Sequence, residues 1–586
     1  MADSIHLKVT DAPRSLQDNC GFLADGFRPI ARHFSRLTRV HVRAIVLADR
    51  FQAPARDLIK ETKLKSNCQV GGRPWIKLLT LAVTSTAMLI GSFAPVLAQK
   101  TALSIGSAAT DIGPMDPHVA ASNTDRNVVA AMFNGLVRFK PGLATFEGYE
   151  PDLAQSWTSN ESKTEWAFTL RQGVQCHRNY GEFTAEDAAY SLLRSADPKR
   201  SGVASDYAPI AKAEAIDRYT LKVTLKAPIP SLLGLVSNYA GGFMVCKKAA
   251  EEEGGDFRRK PIGTGPFMFE EYKPQQYVKL VANKSYFRGV PKLDSLAYRF
   301  IPSDASRDLA FETGEIDMLF GKQDEAWLTR MKRTVGTVAV AMEPAELSWL
   351  NFNVTVKPLD DIRVRRAMLL AIDRDALTKF RGPNANKVAV SVIPSSTLGA
   401  IDLHLPAPNL AEAKKLLAEA GYPDGLTVKI IATDAPIFEL VQANLRKIGV
   451  KLDVQTVDLP TYHVQIRKDL SPLVMYQAAR FPVADVFLTQ FYHSRSTVGT
   501  PTAVTNFSHC SAADKEIDEA RTEPDQSRQK QLWAEAQRKI LDAVCSAPIY
   551  ESFVLLAYRD SLDLGYELKG SMNLGPPMLE TTHFTK

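Results

Sequence analysis

The chain has 586 residues and a formal net charge of +6, from 71 Lys and Arg residues against 65 Asp and Glu residues. The excess positive charge lies in residues 1–98, which contain 14 basic and 7 acidic side chains, so the remaining 488 residues carry about −1. Nucleic-acid-binding proteins concentrate positive charge on a folded face, and this distribution argues against such a partner. A folded part of this length requires two or three separate cores.

Residues 73–98 have the pattern of a secretory signal peptide. Basic Arg73 and Lys77 precede an apolar run, and small or apolar residues precede a cleavage site between Ala98 and Gln99. Thr, Ser and Gly interrupt the run, whereas a membrane-spanning helix needs roughly 20 mostly apolar residues. We therefore expect cleavage and release into the periplasm of a two-membrane bacterium, with a membrane anchor as the alternative.

Residues 1–72 form an Arg-rich N-terminal extension without a strong apolar period. A signal peptide normally starts close to its basic region, and no Met occurs between Met1 and Met88. An over-long gene reading, with the true start near Val70, explains this extension. A genuine extended leader is the alternative, and neither interpretation gives the extension a role in the exported protein.

Two strands are predicted in the first half of the exported part. Trp166, Phe168 and Leu170 alternate with polar or small residues, and the segment 220–226 shows the same alternation of apolar and polar side chains. A period of two residues is typical of a strand with one buried face.

A strand–helix–strand unit is predicted between residues 409 and 455. Asn409 is a candidate N-cap for a helix that Gly421 ends, and the segment 422–425 is a candidate turn. A strand over 427–431, a helix closed by Gly449 and a strand over 450–455 follow. This order is typical of a mostly parallel sheet, which places ligands at the carboxyl ends of its strands.

Four cysteines follow the cleavage site: Cys176, Cys246, Cys510 and Cys545. They form no CxxC motif and no His cluster accompanies them, so we do not expect a zinc site. In an oxidising compartment, pairing in sequence order gives Cys176–Cys246 and Cys510–Cys545. Free buried thiols are the alternative.

The segment from Gly263 to Pro266 superficially resembles a phosphate-binding loop. It lacks the Lys-Ser/Thr pair of a P-loop and the GxGxxG spacing of a dinucleotide-binding turn. We therefore predict a tight structural turn. GxSxG and HExxH motifs are also absent, and the seven histidines beyond residue 98 are scattered, so we do not expect an enzyme.

Eight short segments match, in order, the motifs of one protein family. They are Asp111–His118, Met132–Val137, Pro151–Trp157, Phe168–Val174, Phe183–Ala188, Pro261–Phe267, Asp361–Arg374 and Ala413–Gly425. Together they resemble the extracytoplasmic solute-binding proteins of the peptide/opine/nickel-type ABC importers, solute-binding family 5, over nearly all of residues 101–560.

The resemblance implies an α/β fold, a two-lobed periplasmic-binding-protein clamshell with an additional inserted domain, and hence three lobes. The implied parts are lobe I over 99–145, 262–350 and 545–586, the extra domain over 146–261, and lobe II, with much of the pocket, over 351–544. Such a clamshell closes about a hinge around its ligand.

The resemblance also implies a function. The protein would capture a small polar solute, a peptide, an opine or a related molecule, and deliver it to an ABC permease and ATPase complex in the inner membrane. We expect a monomer that has no cofactor and no metal site. Binding of a nickel complex and a secreted enzyme are the alternatives.

In peptide-binding members of this family, an acidic residue in a Trp-containing segment pairs with the peptide's amino terminus. The matching segment here, 473–487, places Gln477 at the Trp position, Arg480 at the acidic position and Asp485 on a later aspartate. Asp434 lies in the loop where dipeptide binders carry a carboxylate-binding Arg. Because Arg480 would hold an anion and repel an ammonium, we expect an anionic or sugar-like solute such as an opine. Alternatively, Arg480 faces solvent or pairs with Asp485.

The remaining candidate ligand-binding residues are aromatic or amide side chains. Trp349, Asn351 and Asn353 lie on a segment that the family uses near the lobe junction, and Asn suits neutral polar ligands. Trp349, Tyr476 and Phe481 would form an aromatic wall of a mostly apolar pocket. For each aromatic residue alone, packing in the core is the alternative role.

Overall fold

The computed structural model describes residues 99–585, apart from residues 121, 145–148, 230–231, 238–240, 500–504 and 573–574. The predicted extension and signal peptide, residues 1–98, lie outside the described residues. In the part of the chain that is described, no helix is both long and apolar enough to cross a bilayer.

Nineteen strands occur among the described residues. They are β1 Ala102–Ser107, β2 Val137–Phe139, β3 Tyr149–Pro151, β4 Ala154–Ser159, β5 Glu165–Leu170, β6 Ile210–Asp217, β7 Thr220–Leu225, β8 Phe267–Lys273, β9 Tyr277–Ala282, β10 Ser295–Phe300, β11 Met318–Phe320, β12 Thr337–Phe352, β13 Asn386–Val388, β14 Leu426–Ala432, β15 Val450–Thr456, β16 Leu473–Ala478, β17 Ser546–Arg559, β18 Leu562–Asp563 and β19 His583–Phe584.

Fifteen α-helices occur in the same residues. They are α1 Asn123–Met132, α2 Ala185–Ala196, α3 Ala204–Tyr207, α4 Leu232–Leu235, α5 Lys247–Glu252, α6 Asp304–Glu312, α7 Glu325–Arg333, α8 Ile362–Ala371, α9 Arg374–Arg381, α10 Leu410–Glu419, α11 Pro436–Arg446, α12 Leu459–Arg467, α13 Ala484–Tyr492, α14 Asp514–Thr522 and α15 Gln526–Asp542.

A nine-stranded mixed sheet is the largest element of the fold. Its order is β16-β12-β17-β11-β1-β10-β9-β8, with β13 paired to β17. The long antiparallel strands β12 and β17 pair from Thr337↔Arg559 to Asn351↔Ser546, with register shifts between Met342 and Glu346 and between Ser348 and Trp349. β13 and β16 belong to the predicted lobe II range, yet both pair with these strands. The two long strands therefore join the ranges that were predicted as lobe I to the range that was predicted as lobe II.

A separate antiparallel sheet, β4-β5-β7-β6, lies within residues 154–217 and 220–225. β5 and β7 confirm the two strands predicted from alternation, and they pair from Glu165↔Thr224 to Thr169↔Thr220. Trp166, Phe168 and Leu170 are all buried. Each of these strands therefore buries the face that its apolar residues predicted.

The predicted strand–helix–strand unit is present with two differences. Asn409 caps α10 by accepting a hydrogen bond from the Glu412 N–H, as predicted, and β14 and β15 pair in parallel. The first difference is in the helix between them: α11 starts at Pro436 and already ends at Arg446, before the Gly449 that was predicted to close it. The prediction that this unit joins a mostly parallel sheet is wrong, because β14 and β15 form a sheet of their own. At its outer edge, the Ile431 N–H donates to the Ser471 hydroxyl instead of to another strand.

The segment from Gly263 to Pro266 is the predicted structural turn. A Cβ at Gly263 or Gly265 would collide with Met132. The Gly265 N–H donates to the Met132 carbonyl at 2.9 Å, and the Gly263 N–H donates to Nδ1 of His177 at 3.2 Å. Because these amides are committed inside the protein, the turn does not offer them to a phosphate.

Two disulfides link the four described cysteines. Cys176 bonds to Cys246 and Cys510 bonds to Cys545, which confirms pairing in sequence order. All four residues are buried. Each bond removes freedom from the unfolded chain by closing a loop, of 70 and 35 residues respectively.

Candidate functional site

A cavity of about 300 Å³ lies where β14 and β15 end. Its walls come from these strand ends, from the starts of α11 and α12, and from β12, β16 and β17. The lining residues are Ser348, Ala432, Thr433, Ala435, Ile437, Phe438, Leu459, Tyr462, His463, Met475, Tyr476, Gln477 and Tyr550. The cavity thus lies at the carboxyl ends of the two parallel strands, which is where strand–helix–strand units commonly bind ligands. We call it the aromatic cavity.

Aromatic rings form one wall of the aromatic cavity. Tyr476 meets Trp349 edge-on, with ring centroids 6.0 Å apart, because the two residues are directly paired between β12 and β16. The His463 ring lies 6.0 Å from Tyr476 and 5.7 Å from Tyr462, again edge-on. The Tyr462 hydroxyl donates to the Met475 carbonyl. This packing fixes the ring orientations before a ligand arrives.

His463 is the titratable group in this wall. Burial, together with the nearby Arg467, lowers the pKa of its imidazole, so the ring is neutral at pH 7. Its Nδ1 is buried and has no hydrogen-bond partner among the described residues. A neutral imidazole can donate from one nitrogen and accept at the other, so His463 can hydrogen-bond a polar ligand group.

A second cavity of about 210 Å³ lies beside the first and is more polar. Its lining residues are Ser107, Ala108, Asn123, Thr124, Asn127, Tyr298, Phe320, Gly321, Gln323, Glu346, Val554 and Leu555. We call it the polar cavity. Asn123, Thr124 and Asn127 come from the first turns of α1, which Ser122 and Asp125 fix with a capping box. Amide and hydroxyl side chains of this kind suit ligand hydroxyl groups.

Gln477 stands between the aromatic and polar cavities. Its Nε2 donates to Glu346 Oε2 at 2.8 Å and to Gln323 Oε1 at 3.1 Å. Gln477 lines the aromatic cavity, whereas Glu346 and Gln323 line the polar cavity. One side chain therefore links the walls of both.

The sequence model of the bacterial extracellular solute-binding proteins, family 5, matches residues 148–498. This chain belongs to that family. The family and its multi-lobed α/β fold, both predicted from the sequence motifs, are confirmed. The family 5 proteins act outside the cytoplasm as substrate-binding components of ABC importers, so the predicted role is confirmed as well.

Individual relatives bind different solutes. The chain is 46% identical to MoaA of A. tumefaciens R10, solved in complex with mannopinic acid, with a TM-score of 0.78 over 83% of this chain and 100% of that one. It is 30% identical over 391 residues to the glutathione-binding protein GsiB of Salmonella paratyphi A, covering 64% of this chain and 73% of GsiB. DppA of Helicobacter pylori in complex with the peptide STSA shares the fold, at 24% identity and a TM-score of 0.73 over 83% and 99% of the two chains.

Of the residues predicted to bind ligand, Tyr476 lines the aromatic cavity. Trp349 is fully buried directly behind it and donates from its indole N–H to Asn351 at 2.6 Å. Asp434 is exposed between the lining residues Thr433 and Ala435. These three predicted residues lie at or beside one cavity.

The predicted residues of the segment after β16 make their contacts elsewhere. Arg480 donates to the Gln490 side chain at 2.7 Å and to the Ala479 carbonyl, and its guanidinium lies 4.9 Å from the centroid of the Phe491 ring. Asp485 pairs with Arg521 at 3.2 Å. The alternative in which Asp485 pairs with Arg480 is therefore not what the structure shows.

Phe481 and Asn353 lie at two further places. Phe481 and Asp485 line a small space of about 30 Å³ together with residues of the 206–235 region. Asn353 follows the end of β12, beside the first residue of β16, and donates to Asp469 at 3.4 Å. It is thus at the opposite end of β16 from Gln477.

Sequence reasoning missed His463, Tyr462, Glu346 and Gln323. The signal for the first two was available, because they follow the end of β15 and ligands gather at the carboxyl ends of parallel strands. Glu346 and Gln323 carried no such signal. Among the described residues, no group of three or more His, Cys, Asp or Glu side chains is arranged to hold a metal ion.

Proposed function

We propose that this protein captures a solute of the opine class, an N-substituted amino acid such as mannopinic acid, and delivers it to an ABC permease and its ATPase. The observation that carries the proposal is the 46% identity to mannopinic-acid-bound MoaA over that protein's entire length. The likenesses to peptide binders near 24% identity speak for the fold alone, because one fold can host many different binding sites.

The two cavities suit such a molecule. Their volumes are about 300 and 210 Å³, they meet at Gln477, and their combined volume lies in the range of small-molecule sites. One is lined mainly by aromatic and apolar groups, whereas the other adds several amide and hydroxyl side chains to its apolar residues. A solute with a hydroxyl-rich end and an amino-acid end matches this division.

Glutathione or another small peptide is the second candidate ligand. The 30% identity to GsiB supports it. The aromatic and apolar lining of the aromatic cavity would also suit a side chain of a peptide. A nickel complex and a catalytic role are the remaining alternatives, and each makes a distinct prediction in the experiment below.

We further propose that the chain is exported by the signal peptide 73–98 with cleavage near Ala98 and Gln99, and that it works as a periplasmic monomer. The low net charge beyond residue 98 supports the absence of a nucleic-acid partner. The relatives are solute-binding proteins, which supports release of the ligand unchanged and not its conversion.

The experiment is to express the full gene, purify the exported protein from the periplasm and identify released ligands by native mass spectrometry. Isothermal titration calorimetry with mannopinic acid, glutathione and a tetrapeptide follows on the ligand-stripped protein. Tight binding of mannopinic acid with weak binding of the other two supports the proposal. A mixture of released peptides, a nickel adduct or a chemically altered ligand would each overturn it in favour of the corresponding alternative.

Although Arg480 lines neither cavity and contacts Gln490 and Phe491 in this structure, we still propose it as the anchor for an acidic group of the solute. We expect Arg480→Ala to weaken mannopinic acid binding by about 10-fold or more, as for loss of a charged hydrogen bond. Arg480→Lys keeps the charge but not the forked geometry and should lose less. Calorimetry measures both, and unchanged affinity in Arg480→Ala would show that the Gln490 and Phe491 contacts are its whole role.

A further inference from the structure

Glu346 is a carboxylate without an ion-pair partner among the described residues, at the junction of the two cavities. Its only described side-chain bond is the one it accepts from Gln477 at 2.8 Å. Other acids differ: Glu343, on the same strand, pairs with Lys387 at 2.9 Å, and Asp485, in a separate space, pairs with Arg521. Glu346 is therefore a negative charge that lines a cavity without a nearby described cation.

The register of strand β12 places Glu346 at this junction. The register of β12 against β17 shifts between Met342 and Glu346, and regular pairing resumes at Glu346↔Ser552. On the other side, Ser348 pairs with Gln477. Glu346 and Gln477 are thus diagonal neighbours on one face of the sheet, which is within reach for long side chains.

The amide of Gln477 orients the carboxylate but cannot neutralise it. A carboxylate offers about four acceptor positions, and Gln477 fills one of them. An ionised carboxylate in a cavity is costly to desolvate unless a cation joins it. When a ligand displaces water from the junction, a positively charged ligand group is what the site lacks.

We propose that Glu346 is the counter-ion for the protonated amine of the solute and that Gln477 is its positioning residue. This inference rests on the proposed function, since it assigns the amine of an opine-class solute. The segment after β16 carries Arg480 where the family resemblance puts an acid, so the negative partner of the amine is supplied from β12 instead. The amine lies at the junction, with the remainder of the solute divided between the aromatic and polar cavities.

The test compares two probes, mannopinic acid and an analogue acylated on the same nitrogen, which carries no charge there. Calorimetry on the wild-type protein should show a preference for the amine. Glu346→Gln keeps the size and hydrogen-bonding capacity, and we expect it to weaken mannopinic acid binding by about 10- to 100-fold, as for loss of a charged hydrogen bond. Its affinity for the acylated analogue should change by less than about threefold.

Two further variants sharpen the result. Glu343→Gln removes a carboxylate from the same strand outside both cavities, and both affinities should stay at the wild-type value. Gln477→Leu should reduce the preference for the amine while Glu346 is retained, which a purely structural role of Gln477 would not do. Thermal unfolding of each variant identifies any loss that comes from misfolding.

The outcomes separate the inference from the proposed function. Equal losses for both probes in Glu346→Gln, or no loss, would overturn the inference while leaving opine binding intact. If the wild-type protein binds glutathione and not mannopinic acid, the same variants are measured with glutathione and its N-acetyl derivative. A selective loss for the free amine there would support Glu346 although the opine proposal fails. Absence of binding to both amines would overturn both proposals.

Discussion

At the scale of single residues, His118 shows how the buried polar groups of this protein couple stability to pH. Arg194 donates to its Nδ1 at 2.7 Å, and its Nε2–H donates to the Phe243 carbonyl at 3.1 Å. Burial, reinforced by the Arg194 charge, lowers the pKa of His118 from 6.5 to about 4. The ring is therefore neutral in the folded protein throughout the physiological range.

The direction of the pH effect follows from that lowered pKa. Below pH 6.5 the unfolded chain binds a proton at His118 that the folded protein binds only near pH 4, so stability is full above 6.5 and declines between these values. The loss amounts to roughly 3 kcal/mol by pH 4. We expect His118→Gln to reduce the slope of unfolding free energy against pH between 6.5 and 4.5, measured by urea denaturation.

A control for that slope is His404, whose side chain is 89% exposed. His404→Gln should leave the slope at its wild-type value. If His118→Gln leaves it unchanged too, the coupling comes from other groups, of which His177 is the first to examine because burial lowers its pKa to about 4 as well.

Single residues also show which parts of the candidate site could be predicted from the sequence and which could not. Tyr476 could be selected because its segment matched a family motif, and it does line a cavity. Glu346 could not, because its position at the junction depends on a register shift in β12 that no local pattern reports. Trp349 and Asn353 were selected on the same strand segment, yet one packs behind the wall and the other follows the strand's far end. Periodicity indicates burial but not which buried face opens on a cavity.

At the scale of elements, the start of α11 combines structural weakness with a place at the site. Its N-cap, Ala435, makes no side-chain capping hydrogen bond, and Pro436 follows it. Ala435 also lines the aromatic cavity. An uncapped helix start leaves N–H groups and a partial positive charge facing that space.

We expect Ala435→Asp to stabilise the ligand-free protein by about 1 kcal/mol, since a capping side chain satisfies a free N–H group. The same substitution should weaken mannopinic acid binding by about 10-fold, because it adds a negative charge where an acidic solute would bind. Ala435→Ser should give most of the stability with a smaller loss of affinity. Urea denaturation and calorimetry measure the two effects.

The reference helix for this prediction is α10, whose cap Asn409 lies away from both cavities. Asn409→Ala should cost about 1 kcal/mol and leave affinity unchanged. If Ala435→Asp increases both the stability of the ligand-free protein and its affinity for mannopinic acid, the acidic solute does not bind at the start of α11.

Elements differ in how far the sequence predicts them. β5, β7 and α10 were predictable because each is defined by its own alternation, helical spacing or cap. The strands β12 and β17 pair across about two hundred residues of intervening chain, and their partners decide which parts of them are strand. The separation of β14 and β15 from the large sheet likewise depends on distant residues, since the Ser471 hydroxyl accepts the Ile431 N–H at the edge of the pair.

At the scale of the whole molecule, ring contacts join segments that lie far apart in the chain and that the family resemblance assigns to different lobes. The Phe481 ring, 6% exposed, lies 5.6 Å from the ring of Phe139 and against the backbone of Gly234, where an added Cβ would meet it at 3.1 Å. Gln477 and Gln323 provide a polar contact of the same kind. These contacts exist only while the segments around residues 139, 234 and 481 are together, and we expect them to stabilise the closed form of the clamshell that the resemblance implies.

A ligand that binds the closed conformation must meet the cost of reaching it, and contacts such as those of Phe481 lower that cost. Phe481→Ala should therefore shift the ligand-free protein towards open conformations and weaken mannopinic acid binding by about 10-fold, equivalent to about 1.4 kcal/mol. Small-angle X-ray scattering should show a larger radius of gyration without ligand and recovery of the wild-type value at saturation. Phe380→Ala, at a side chain 56% exposed, is the matched control and should change neither quantity. A Phe481→Ala protein that keeps the wild-type radius yet loses affinity would contradict this role, because a change in closure cannot occur without a change in dimensions.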